Sequence, residues 1–251
     1  MEVQVQAFAY KANNDLNNMT FQRYKLINRA IERLDSSYFG LWVDPDLGCY
    51  TDDYIGCDVD RSMAYVYNAD ALDGTTGCVC DQGINTYCDE IPILGIDYFR
   101  GPLNEFGEEL GMSSFTYFNN PGVIGTPNNA TTDPSTPQEY YYYLSGRWRD
   151  GTPLTYGGDG YMEDGPITAY AFSDPPSDPG GWSMCSEQSV VGDRRTVQAS
   201  GPFTLLPGAV NELIFGVVWV PDQNYPCPSI ARLQKADDLA QEIFDNCITF
   251  T

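Results

Sequence analysis

The chain has 251 residues, no histidine, and 35 acidic against 13 basic side chains, a formal net charge of −22 at pH 7. That balance excludes nucleic acid and anionic membrane surfaces as partners, because both require a positive footprint. Without imidazole, Ser-His-Asp and Cys-His nucleophiles and histidine-based zinc or iron sites are excluded as well.

In chain order, the first periodic segment is Phe21 to Ile27, where apolar and polar residues alternate with a period near two and predict a strand. Ser37 to Val43 predicts a clearer strand, and it leads into a stretch from Trp42 to Arg61 that reads as an acidic loop. Ser62 to Tyr67 predicts the strand that leaves it. Residues 68–135 are rich in turn formers around short apolar runs at Ile91 to Ile96 and Phe115 to Phe118. Asn119 to Pro137 reads as a long surface loop. The four tyrosines Tyr140 to Tyr143 are expected to lie on a strand, since tyrosine suits a half-buried pleated surface.

The last third is plainer. Ser200 to Gly208 predicts a short strand bounded by turns. Leu213 to Val220 is apolar at both alternating sets of positions, which predicts a central strand covered on both faces and stopped by Pro221. Ser229 to Asn246 predicts a helix: Ile230, Leu233, Leu239 or Ala240, Ile243 and Phe244 share one face, and Ser229 is a natural N-cap after Pro228. Many short strands, frequent turns and one terminal helix predict a mostly β protein, an antiparallel β-sandwich or jelly roll with long loops and a C-terminal α-helix. Residues 1–251 are expected to form a single domain.

Eight cysteines, Cys49, Cys57, Cys78, Cys80, Cys88, Cys185, Cys227 and Cys247, are scattered through loop-like sequence. An even number in so acidic a chain predicts disulfides and an oxidising compartment. Cys49 to Cys57 and Cys227 to Cys247 are the local bridges that spacing suggests. Zinc is the competing reading for Cys78, Cys80 and Cys88, against which stands the missing C-x2-C knuckle. The opening residues lack the basic start and apolar run of a signal peptide, and no stretch is long enough to span a bilayer as a helix. With disulfides expected, Met1 reads as a cut boundary within a longer precursor.

Several runs resemble one family. They are Tyr38 to Gly48 (Tyr-Phe-Gly-Leu-Trp-Val-Asp-Pro-Asp-Leu-Gly), Asp52 to Asp58, Tyr65 to Asp70, Gly95 to Pro102, Arg147 to Pro153, Gly192 to Gln198, Gly201 to Gly208 and Ala236 to Asn246. Together they are similar to a module of large secreted Bacteroidota proteins that carry a C-terminal sorting domain for type IX secretion, a domain this sequence lacks. The resemblance covers nearly the whole chain. It implies a secreted or cell-surface location and a place within a longer polypeptide, and it implies no reaction.

Asp44, Asp46, Asp52, Asp53, Asp58 and Asp60 cannot crowd together as bare anions without strong repulsion, so the stretch either splays them into water or gathers them around a cation. Irregularly spaced hard oxygens, with Gly48 and Gly56 permitting tight bends, favour calcium, although the EF-hand pattern is absent. Asp44, Asp46, Asp52, Asp53 and Asp58 are the expected ligands, with Asp60 paired to Arg61. Asp73-Gly74-Thr75 reads as a turn, and Asp193 to Arg195 as a structural ion pair. Tyr140, Tyr142, Trp148 and Tyr161 form a candidate platform for sugar rings. A glycoside hydrolase needs only two carboxylates, and Glu105, Glu108, Glu109, Glu163 and Glu187 qualify by residue type alone. The reading is therefore a non-catalytic extracellular structural or adhesive module stabilised by calcium and disulfides. Its partners are expected among other domains of the same polypeptide, cell-surface components and glycans, and the alternative is a carbohydrate-binding module or glycoside hydrolase.

Overall fold

The computed structural model describes residues 1–75, 77–80, 85–120, 129–221 and 224–247, with only the backbone of Cys247. Nine strands form two antiparallel sheets among these residues. In chain order they are β1 (Glu2–Phe8), β2 (Met19–Ile27), β3 (Leu34–Val43), β4 (Asp53–Asp58), β5 (Met63–Asn68), β6 (Ile93–Arg100), β7 (Ser114–Asn119), β8 (Arg194–Leu205) and β9 (Val210–Val220). Two α-helices, α1 (Pro137–Leu144) and α2 (Ala231–Cys247), accompany them. The larger sheet runs β1-β2-β9-β6-β5-β4 and the smaller β3-β8-β7. The chain is thus mostly β and sandwich-like, with the expected C-terminal helix.

Strand β9 lies between β2 and β6 and is covered on both faces, as its unbroken apolar run predicts. One face meets the small sheet, where the Tyr98 hydroxyl donates to the Phe39 and Gln198 carbonyls at 3.3 and 3.0 Å. On the other face lies α2, whose Phe244 stacks on Phe99 and contacts Phe21 and Phe8 edge-on. The amide of Ala231 donates to Ser229 Oγ at 3.3 Å, in keeping with a cap there.

Three local expectations are corrected. The middle of the supposed acidic loop is strand: β4 is buried along its whole length, because Tyr54, Ile55 and Cys57 supply the apolar surface that the flanking carboxylates conceal in the sequence. Tyr140 to Tyr143 belong to α1 rather than to a strand. Thr136 and Glu139 form a reciprocal capping box and Pro137 occupies the first turn, and this start signal overrides the β preference of tyrosine. The strand expected at Ser200 begins earlier, as β8 takes in Arg194 to Ser200 and pairs with both β3 and β7. Residues 121–128 of the loop expected from Asn119 to Pro137 lie outside the described residues.

The disulfides join Cys49 to Cys78, Cys80 to Cys88 and Cys185 to Cys227. Neither local pairing suggested by spacing forms, because Cys49 and Cys227 are committed to other partners. Cys57 is a free thiol, buried on β4, where its Sγ donates to the Ala171 carbonyl at 3.4 Å. The side chain of Cys247 lies outside the described residues. Three bridges suit a domain that matures in an oxidising, extracellular-type compartment. No described helix is long and apolar enough to cross a membrane.

Candidate metal centre

The five expected ligands divide among three places. Asp44 and Asp46 are exposed and meet Asp193, with one carboxylate oxygen from each lying within 4.8 Å of the others. Arg195 sits among them, 3.2 Å from Asp44 and 2.9 Å from Asp193. Burial and the charges of Asp44 and Asp193 push the Asp46 carboxyl up, while Arg195 opposes them. This group already holds a cation of its own. The ion pair expected at Asp193 to Arg195 is present.

Asp58, at the far end of β4, accepts from Arg61 Nη1 at 3.1 Å and from Gln234 Nε2 of α2 at 2.8 Å. It is fastened to α2 and Arg61 and stands apart from the other four acids. Arg61 completes its pairing with Asp238 at 2.9 Å, so its partners are Asp58 and Asp238 rather than the expected Asp60.

Asp52 enters the third group, joined by a residue read from sequence as part of a turn, while Asp53 lies beside it on β4. The Cys49–Cys78 bridge ties the segment around Asp73 to the end of the acidic loop, and one oxygen each of Asp52 and Asp73 lies within 4.8 Å of the other and of Cys49 Sγ. That sulfur is spent in the disulfide, which leaves the carboxylates as ligands. Asp73 is fully buried and held by two amides: Cys49 N donates to Oδ1 at 2.9 Å and Tyr87 N donates to Oδ2. Gly48 makes room for it. With φ at +76°, this glycine adopts a left-handed turn, and a Cβ here would collide with the Asp73 carboxylate.

Asp52 and Asp53 are less completely satisfied. Gly74 N donates to Asp52 Oδ2 at 3.0 Å and Leu47 N donates to Asp53 Oδ2 at 2.9 Å. Oδ1 of each is buried without a hydrogen-bond partner, as is Oδ1 of Asn68, the residue opposite Asp53 across β4 and β5. Burial raises the Asp52 carboxyl to about 6, with the Gly74 amide opposing and the charges of Asp73 and Asp70 adding to the rise. Asp53 is buried as well, and its carboxyl is pushed well above its ordinary value, again chiefly by burial. Arg194 donates to the Asp53 backbone carbonyl rather than to its side chain. Buried carboxylates with unused oxygens and no paired cation must take up protons or bind a metal ion.

The aromatic platform does not assemble. Trp148 is fully buried; its Nε1 donates to the Gly160 carbonyl at 2.8 Å and its ring meets Tyr117 and Tyr143 edge-on. Tyr161 covers Trp148 from the side and donates to Asp150 Oδ2 at 2.8 Å. Tyr140 is exposed on α1 and Tyr142 is half-buried there. Trp148 therefore offers no face to a ligand, and the four residues present no common surface. No protein-family model matches the chain, and no curated protein is significantly similar to it.

Proposed function

We propose that the chain is a non-catalytic extracellular module, with a structural or adhesive role at a cell surface, in which calcium binds at Asp52 and Asp73 with Asp53 beside them. The observation that carries this is the buried approach of Asp52 and Asp73, together with the unpartnered Oδ1 atoms of Asp52 and Asp53. Calcium suits the site because the available ligands are hard oxygens at irregular positions. An ion there would lock the acidic segment to the Asp73 turn beside the Cys49–Cys78 bridge. Because the folded state alone presents these ligands together, binding adds directly to folding free energy.

Melting in calcium and in excess EDTA tests the reading. At a calcium concentration 100 times its dissociation constant, binding contributes about 2.7 kcal/mol. For a chain of this length that corresponds to roughly 5 °C in Tm. Asp52→Asn should abolish most of this response while raising Tm in EDTA, since it removes a repelling charge. Identical melts of the wild type with and without calcium, after prolonged chelation, would refute the proposal.

Glycan binding is a second reading, supported by a different feature. A cleft of about 500 Å³ opens between the two sheets, lined by Tyr24, Phe39, Trp42 and Phe215, with Trp42 58% exposed at its edge. No carboxylate lines it, so it offers sugars a stacking surface but lacks an acid pair for hydrolysis. A glycan array with the wild type and Trp42→Ala tests it. Export by the type IX route, as the sequence resemblance implies, belongs to this same proposal.

A further inference from the structure

A second pair of carboxyl groups is buried where α2 crosses the large sheet. On β6, Gly95, Asp97 and Phe99 share the face toward this helix: a Cβ at Gly95 would lie 3.0 Å from Leu233 Cδ1, and Phe99 stacks on Phe244. Asp97 therefore meets α2 between two apolar contacts. The helix presents Asp237 there, one turn beyond Leu233, at a position of its buried stripe where an apolar residue is expected.

Asp97 is 0% and Asp237 2% exposed. Neither oxygen of Asp97 has a hydrogen-bond partner of good geometry, and neither does Oδ1 of Asp237. Burial raises both carboxyls; the charge of Asp237 raises Asp97 further, and the nearby Tyr98 amide opposes this only in part. Arg61, whose charge opposes the rise at both carboxyls, makes its ion pairs with Asp58 and Asp238 instead. Four carboxylates thus surround a single guanidinium. Among the described residues, two of the four make no ion pair.

Beside them a cavity of about 550 Å³ opens to solvent, lined by Arg61, Ser62, Glu109, Asp237, Asp238 and Gln241. A hydrated ion could reach Asp237 through it. Two carboxylates with the remaining positions filled by water are enough to hold a hard divalent cation. We propose that Asp97 and Asp237 bind such an ion, of the calcium or magnesium class, and that it clamps α2 to the six-stranded sheet. This site shares no residue with the one at Asp52 and Asp73, and each stands or falls alone.

Metal content after equilibrium dialysis against calcium or magnesium tests the inference, using the full chain, Asp237→Asn, Asp97→Asn and Asp52→Asn. Asp237→Asn and Asp97→Asn are expected to lose one ion that Asp52→Asn retains, with at least a tenfold fall in affinity for it. Equal stoichiometry and affinity in the wild type and Asp237→Asn would overturn the proposal and leave the two carboxyls sharing a proton. A wild-type crystal soaked in manganese provides the measurement that needs no variant. An anomalous peak between Asp97 and Asp237 supports the site, and its absence in a soaked crystal with the pair in hydrogen-bond contact overturns it.

Discussion

Removing the Cys185–Cys227 bridge, by replacing both cysteines with serine, should destabilise the protein more than removing either of the other two. The bridge spans 42 residues and joins a turn beneath β4 to the segment before α2. Closing a ring of that size in the unfolded chain is worth about 4 kcal/mol, against roughly 2.5 kcal/mol for the 8-residue separation of Cys80–Cys88. Cys227 is exposed and Cys185 half-buried, so the serines add little cost of their own in the folded state. With an unfolding entropy of about 0.5 kcal/mol per kelvin for this length, Tm should fall by roughly 7 °C. Scanning calorimetry without reductant and in saturating calcium gives the comparison, with the Cys80–Cys88 double variant run in parallel. A drop below about 3 °C, or a larger loss from the shorter ring, would refute the assignment of stability to loop closure.

Gly48→Ala should cost roughly 1–3 kcal/mol by urea unfolding and also blunt the calcium response, because the new methyl group displaces Asp73. Gly208→Ala is the control, having the same φ of +76° and nothing within 4 Å, so it should reproduce the strain and leave calcium binding intact. Trp148→Ala should cost about 3–5 kcal/mol in the same assay, since it empties a fully buried ring site. Glu212 bridges Arg23 at 2.6 Å and Lys25 at 2.9 Å. Burial works to raise its carboxyl, but the bonds to these two cations outweigh burial and hold it below its ordinary value of 4.5. Its contribution is present above 4.5 and is lost as pH falls through the lower folded value, so Glu212→Gln should cost roughly 1 kcal/mol at pH 7 and progressively less as the pH is brought below that folded value.

What the sequence disclosed depended on whether the signal was local. The run Leu213 to Val220 announces a doubly covered strand because every position must be apolar when both faces are buried, and the stripe on α2 follows from its 3.6-residue period. At β4 the same logic failed, since carboxylates at both ends mask a strand that is buried throughout. The helix at Tyr140 to Tyr143 was legible in principle: Thr136, Pro137 and Glu139 spell a capping box, a signal that outweighs residue preference. Asp73 could not be joined to Asp52 without knowing that Cys49 pairs with Cys78, and cysteine pairing is a property of topology rather than spacing. Asp97 and Asp237 did leave a local trace. Each takes an apolar position, Asp97 on the buried face of β6 and Asp237 on the buried stripe of α2, but that trace gains meaning only when the two elements are seen to face each other.

The position of β9 has a consequence for biogenesis. Its two neighbours in the sheet come from much earlier in the chain, and Arg23 meets Glu212 across 189 residues. Until the ribosome has delivered residue 220, β1–β2 and β4–β6 are separate fragments with nothing to seal the gap between them. Such long-range closure makes folding slow and late, and it keeps the polypeptide pliable through most of its synthesis. The principal sheet can therefore lock only once the far end of the chain has arrived.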